Sequence, residues 1–240
     1  AVVAAMTFAP EKAEAVGVDV ELMFVIDQSG SMGDEFTFLG GAIGGFLSDL
    51  QADSRINSAK AGLISYERNT TLHSDLTSDA SALSAVFAGV PTFGGFEDAY
   101  NALDEGITNP NISYSANAVK SLILITDEDQ DGGYSNSFGS GQSALASLID
   151  DQGFLLNIIY NPNSGSSRAD FDALARPSTG LFSINDFRND RQGFFADFTA
   201  AKIAEVTAPP SVIPLPGGLP LLLGGLVVFG GIASRRRKAA

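Results

Sequence analysis

Asp27-Gln28-Ser29-Gly30-Ser31 sets one carboxylate and two hydroxyls at alternate positions of a turn, directly after the apolar run Leu22-Met23-Phe24-Val25-Ile26. Alternate positions on such a turn can direct all three side chains at one point. A second buried run, Ser121-Leu122-Ile123-Leu124-Ile125-Thr126, ends in another acid, Asp127. Hard oxygen donors with few formal charges and no imidazole suit Mg²⁺, Mn²⁺ or Ca²⁺. The competing assignment is a Ser/Gly-rich turn that only caps the helix starting near Phe36. Asp127, Asp129, Asp131 and Gly132 also reproduce the opening positions of an EF-hand-like calcium loop. Phe138 stands where that loop needs a bidentate Glu, which excludes a complete EF-hand. What is left is a second, weaker Ca²⁺ site on Asp129 and Asp131, or a solvated acidic loop.

Composition removes most other chemistry. The 240 residues contain no cysteine and a single histidine, His73. Disulfide frameworks, thiolate metal sites, cysteine nucleophiles and multi-histidine zinc sites are therefore excluded. His73 sits in the polar stretch Thr70–Asp75 and reads as a surface or edge-strand residue. The formal net charge is −14, from 28 acids against 14 bases, and four of those bases are the consecutive Arg235 to Lys238. The body of the chain is thus more acidic still: it repels phosphate backbones, which argues against nucleic acid as a partner, and it attracts cations.

The elements that must position these residues follow from hydrophobic periodicity. Residues 19–26, 59–66, 70–76, 120–126, 154–160 and 180–184 read as strands; residues 36–50, 78–88, 96–107, 143–152, 169–175 and 192–206 read as helices. Strands alternating with helices of this length imply an α/β fold, a doubly wound and mostly parallel sheet with helices on both faces. The strands at 59–66 and 70–76 have only a short polar turn between them, so one edge strand is antiparallel. Ligands of such sheets bind beyond the carboxyl ends of the strands, where the connections change direction. Asp27 and Asp127 both fall there. The glycine pairs Gly40-Gly41 and Gly44-Gly45 would allow close packing or movement of the first helix.

With Asp27, Ser29 and Ser31 matching Asp-x-Ser-x-Ser after a buried first strand, the sequence resembles the von Willebrand factor type A domain over about residues 18–206. That motif is the core of the family's metal-ion-dependent adhesion site. The resemblance implies a doubly wound fold, a divalent cation with Mg²⁺ foremost, and a second loop that supplies a Thr after a Gly-Gly pair. Here Phe96 follows Gly94-Gly95. Some branches use a Glu in this loop, and Glu97 is the position carried over; Thr92 and Asp98 are the alternatives. Acids at 97 and 98 would equally favour the first turn of the following helix. The resemblance further implies that Asp127 binds through water and leaves one coordination position open, which a carboxylate from a partner protein completes.

The ends carry addresses. Val212 to Ala233 is uncharged, about 33 Å as a helix, and cations follow at 235–238. Prolines at 214, 216 and 220 place the start of the membrane helix in the span 216–233, with the basic tail on the cytoplasmic side. Ile213-Pro214-Leu215-Pro216-Gly217, the apolar span and the Arg cluster together resemble the PEP-CTERM sorting signal of the Val-Pro-Leu-Pro-Ala type. That resemblance implies processing by an exosortase-type enzyme of Gram-negative bacteria, an inner-membrane anchor that is temporary, and a destination at the cell surface or beyond. Residues 1–15 read as the remnant of a secretory signal or an irregular N-terminus, with Ala13-Glu14-Ala15 in small-x-small form. The expected organisation is 1–15 leader, 16–206 domain, 207–211 linker and 212–240 sorting signal.

These readings converge on an exported, cation-dependent binding or adhesion module without enzymatic activity. Two alternatives remain at this level: a structural surface or matrix protein whose metal only stabilises the fold, and a metal-dependent hydrolase using the acids for proton transfer.

Overall fold

The computed structural model describes residues 17–208. The expected leader remnant, the apolar span, the expected sorting motif at Pro214, Leu215 and Pro216, and the basic tail lie outside the described residues. Among the described residues no helix is long and apolar enough to cross a membrane.

A six-stranded sheet organises the domain. Its strands are β1 (Val18–Asp27), β2 (Ile56–Tyr66), β3 (Thr70–Thr77), β4 (Val119–Ile125), β7 (Leu155–Tyr160) and β8 (Leu181–Ser183), in the spatial order β3-β2-β1-β4-β7-β8. All pairings are parallel except β2 with β3, which makes β3 the expected antiparallel edge. β1 is central because it can be: its residues from Val20 to Asp27 are buried without a break, as a strand covered on both faces requires. Even-numbered positions Leu22, Phe24 and Ile26 face one core, and odd-numbered Met23 and Val25 face the other. The period of two along a strand is thereby used on both sides.

The first core is closed by α1 (Gly33–Ala52), α2 (Ala80–Ala88), α6 (Ile184–Asn189) and α7 (Arg191–Val206), and the second by α3 (Ala99–Thr108), α4 (Gly141–Gln152) and α5 (Gly165–Phe171). In α1 the buried positions Phe36, Leu39, Ile43, Phe46, Leu47 and Leu50 keep helical spacing. Its glycines serve close packing: a Cβ on Gly44 would lie 2.7 Å from Ser84 Oγ in α2, and one on Gly40 would lie 3.1 Å from the Cα of Ala88. Asp79 caps α2 by accepting from the backbone N–H of Ser81 and Ala82 at 3.0 and 2.9 Å.

Three elements depart from the periodicity. The helix expected at 96–107 begins only at Ala99, so Glu97 and Asp98 precede it instead of forming its first turn. The helix expected at 169–175 occupies 165–171, because Ser164 accepts from Ser167 N at 3.2 Å and starts it earlier. The strand expected at 180–184 stops at Ser183, whose hydroxyl accepts from Asp186 N and opens α6, a helix absent from the expectation. A small hairpin, β5 (Ser135–Asn136) with β6 (Gly139–Ser140), also forms after β4.

Candidate metal centre

β1 and β4 are neighbours in parallel register, with Ile26 opposite Ile125. The next residues, Asp27 and Thr126, therefore meet at the carboxyl end of the sheet, and Thr126 Oγ1 donates to Asp27 Oδ2 at 3.1 Å. Asp27 is fully buried. Its Oδ1 accepts from the backbone N–H of Ser29 at 2.7 Å, which turns the chain into the 3₁₀ segment Gly30–Met32 and then α1. That turn brings the two hydroxyls together, Ser29 Oγ and Ser31 Oγ lying 3.0 Å apart. Ser31 Oγ donates to Asp127 Oδ1 at 3.0 Å. A hydrogen-bonded chain, from Asp27 through the Ser29 backbone and hydroxyl to Ser31 and Asp127, thus spans from the end of β1 to the loop after β4.

The electrostatics at this end of the sheet are unfavourable to the charges present. Burial pushes the Asp27 carboxyl up to about 6; the Asp127 charge adds to this, and hydrogen bonds from Ser29 and Thr126 work against it. Tyr66, at the end of β2, is buried with its hydroxyl unpartnered. Burial raises that phenol well above its ordinary range, and the charges of Asp27, Glu97 and Asp127 act in the same direction.

The loop carrying Pro91 to Asp98 is strapped to the motif by Phe93 N, which donates to the Gln28 carbonyl at 2.8 Å. Its three candidate ligands occupy different places. Thr92 packs at the start of α1, its hydroxyl 3.4 Å from where a Cβ on Gly33 would lie. Asp98 accepts from Asn101 Nδ2 at 2.7 Å and from Gln130 Nε2 at 3.0 Å, so it ties this loop to the one after β4. Glu97 is buried. Burial pushes its carboxyl up to about 8, and the Asp27, Asp131 and Glu128 carboxylates reinforce the shift. Phe96, at the position of the family's Thr, carries the Arg68 guanidinium stacked 4.1 Å from its ring centroid. Of the two adjacent residues, it is Glu97 that senses the charge of Asp27.

Asp131, expected as part of a second ion site, accepts from Glu97 N at 3.3 Å, and its own N–H donates to the Glu97 carbonyl at 2.8 Å. Asp129 enters no hydrogen bond or ion pair among the described residues. His73, on the β3 edge, places Nε2 2.7 Å from Ser65 Oγ, and Ser65 donates onward to the Gln28 side chain.

Arg188 and its partner Glu35 carry no motif in the sequence that marks them for this centre. Arg188 of α6 donates from Nη2 to Asp127 Oδ2 at 2.8 Å and from Nε to Glu35 Oε1 at 2.7 Å. Burial works against the guanidinium's charge, but these two carboxylates outweigh it and raise the Arg188 pKa. Ser183 three residues before Asp186 is a capping pattern that would have revealed α6. Nothing local pairs Arg188 with an acid 61 positions away.

Among the described residues no group of three or more His, Cys, Asp or Glu is arranged to hold a metal ion. The donor set here is of the other kind, hydroxyls between carboxylates, and it fits a hard divalent cation. A buried phenol oxygen without a partner and two carboxyls driven toward protonation mark a place deficient in positive charge.

The family model of the von Willebrand factor type A domain matches residues 21–192. A search of curated proteins finds no match. Among solved structures, the chain is similar to the vWF domain of the type V pili tip protein Mfa5 from Porphyromonas gingivalis, with 13% identity and a TM-score of 0.60, covering 84% of this chain and 100% of that one. It is also similar to proximal thread matrix protein 1 from the mussel byssus, with 17% identity, a TM-score of 0.52, and 69% and 41% of the two chains covered. A structure of that mussel protein with a zinc-occupied MIDAS motif gives 15% identity, a TM-score of 0.55, and coverage of 72% and 42%. At such identities the shared property is the fold, and the match spans about two fifths of the mussel chains.

Proposed function

Because the chain belongs to the von Willebrand factor type A domain family, we propose that it is a divalent-cation-dependent protein-binding module that works outside the cytoplasm. The observation that carries this reading is the hydrogen-bonded chain from Asp27 through the Ser29 backbone N–H, and on from the Ser29 hydroxyl to Ser31 and Asp127, with no bond longer than 3.0 Å. Asp27, Ser29, Ser31 and Asp127 would hold the ion, with Glu97 as the acid from the second loop and Thr92 or Asp98 as its substitutes. A bound divalent cation would supply a concentrated positive charge able to accept a carboxylate from a partner protein. The chain's own part is to fix the donors: Ser29 N and Thr126 Oγ1 hold the Asp27 carboxylate, and Ser31 Oγ orients Asp127. Phe93, one of the exposed large apolar side chains, stands in the second loop as an apolar contact beside the site. Mg²⁺ is the ion proposed first, with Mn²⁺ and Ca²⁺ as competitors. No residue pair at the centre needs an enzymatic role.

Similarity to a pilus tip domain and to a matrix protein supports a surface role. The sequence of residues 212–240 supports export, a temporary inner-membrane anchor and exosortase-type processing. A structural matrix role is the second reading, and one observation favours it: both Asp127 oxygens already have partners, Ser31 and Arg188. Calorimetric titration of Mg²⁺, Mn²⁺ and Ca²⁺ into the metal-free chain and its Asp27→Ala variant tests the proposal. Saturable binding that the variant loses supports it; no binding at millimolar ion refutes it.

A further inference from the structure

Arg188 belongs to a helix of only six residues, yet its guanidinium reaches two residues of the metal centre and an acid beside it. Besides Asp127 Oδ2 and Glu35 Oε1, its Nη2 lies 3.4 Å from the Ser31 carbonyl. Glu35, in the first turn of α1, is buried, and its second oxygen, Oε2, has no hydrogen-bond partner. Its counter-charges are Arg188 at 2.7 Å and, more distantly, Arg191 at 3.9 Å. The guanidinium is therefore held in a fork between α1 and the loop after β4, and it occupies Oδ2 of the acid proposed to hold the ion.

From these contacts we propose that Arg188 is a built-in competitor of the metal ion: it lowers the affinity of the centre for divalent cations, and ion binding in turn loosens α6. The inference rests on the reading of Asp27, Ser29, Ser31 and Asp127 as a metal centre. Two cations drawing on one carboxylate repel each other, most strongly where water is excluded. Each must then weaken the other's hold by the same factor, since coupling between two equilibria is reciprocal. Arg188 does not need to leave the site for this to operate; a longer contact to Asp127 is enough to slacken the tie between α6 and the sheet end. Arginine suits the role because its planar fork serves Asp127 and Glu35 at once, whereas lysine would present a single point charge.

The test is calorimetric titration of Mn²⁺ and Mg²⁺ into the full metal-free chain and its Arg188→Gln variant, paired with hydrogen exchange over residues 184–190 in the unmodified chain. The variant is expected to bind at least tenfold more tightly, and saturating Mn²⁺ is expected to speed exchange in α6 of the unmodified chain. The second measurement needs no substitution, so it decides the matter even if burying Glu35 without Arg188 prevents folding. Equal or weaker ion binding by the folded variant, or α6 exchange that is unchanged or slowed by the ion, overturns the proposal and leaves the metal centre standing. Binding by neither chain overturns the metal centre and the proposal together.

Discussion

Replacing Asp27 with asparagine should stabilise the metal-free protein while removing its ion site. The carboxyl is raised from its ordinary 3.8 to about 6, chiefly by burial. Each pH unit between folded and unfolded titration is worth about 1.4 kcal/mol, so ionising Asp27 near neutrality costs the metal-free fold about 3 kcal/mol. The sign follows from the direction: the folded state holds this proton more tightly than the unfolded chain, so the stability it brings is complete below about pH 4 and lost as pH rises through about 6. Asparagine keeps an acceptor for Ser29 N and offers a donor to Thr126 Oγ1, without the charge. In chelator, the variant and the parent should unfold alike near pH 4. At pH 7.5 the variant should be more stable by up to about 3 kcal/mol, roughly 6–12 °C in Tm for a domain of this size. Saturating Mg²⁺ or Mn²⁺ should then reverse the order, because only the parent gains binding energy on folding. Thermal and urea denaturation across pH 4–8 provides the readout. A variant less stable than the parent at pH 7.5 in chelator, or a difference that does not change with pH, would refute the reasoning.

Glu97 and Asp27 must both release protons to hold an ion, so affinity should rise between about pH 5 and 8, and Glu97→Gln should flatten the upper part of that rise and weaken binding about tenfold; calorimetry in two buffers of different protonation enthalpy counts the protons. Lys202 in α7 is buried and donates to Ser121 Oγ and Glu205 Oε2, both at 2.6 Å, so Lys202→Met should cost about 3 kcal/mol in urea denaturation by leaving Glu205 without its cation. Gly44→Ala should cost about 1–2 kcal/mol through contact with α2. Gly45→Ala has nothing within 4 Å of the new methyl and should gain about 0.5–1 kcal/mol from helix propensity, so the two melting shifts should have opposite signs.

The sheet was legible because its signal is local. The unbroken apolar run before Asp27 can only be a strand covered on both faces, and the short polar turn at Arg68 and Asn69 allows only a hairpin to β3. The alternate Asp, Ser and Ser at the strand end were legible for the same reason. The late start of α3 was not: Gly94, at φ +86°, and the ties of Glu97 and Asp98 to Asp131 and Gln130 in the neighbouring loop keep residues 94–98 out of the helix. Glu97 could be singled out from the sequence, but its burial beside Asp27 depends on those same ties. Arg188 was invisible because its meaning lies in two acids from distant segments, and the short helix that delivers it is set by a cap instead of by periodicity.

α7 lies lengthwise on the sheet. Its first residue, Arg191, stands near Asp34 and Glu35 at the site end, while Lys202 and Glu205 reach Ser121 and Asn157 toward the other end. Chain leaving α7 at Val206 therefore departs from the side opposite Asp27. A partner held at one end and a tether pulled from the other would load the domain along its strands, in the direction in which the parallel ladders joining β1 to β2 and β4 resist sliding together. Tension in that direction would be shared by both neighbours of the strand that ends in Asp27, so a central strand buried on both faces is also the one that would bear the pull.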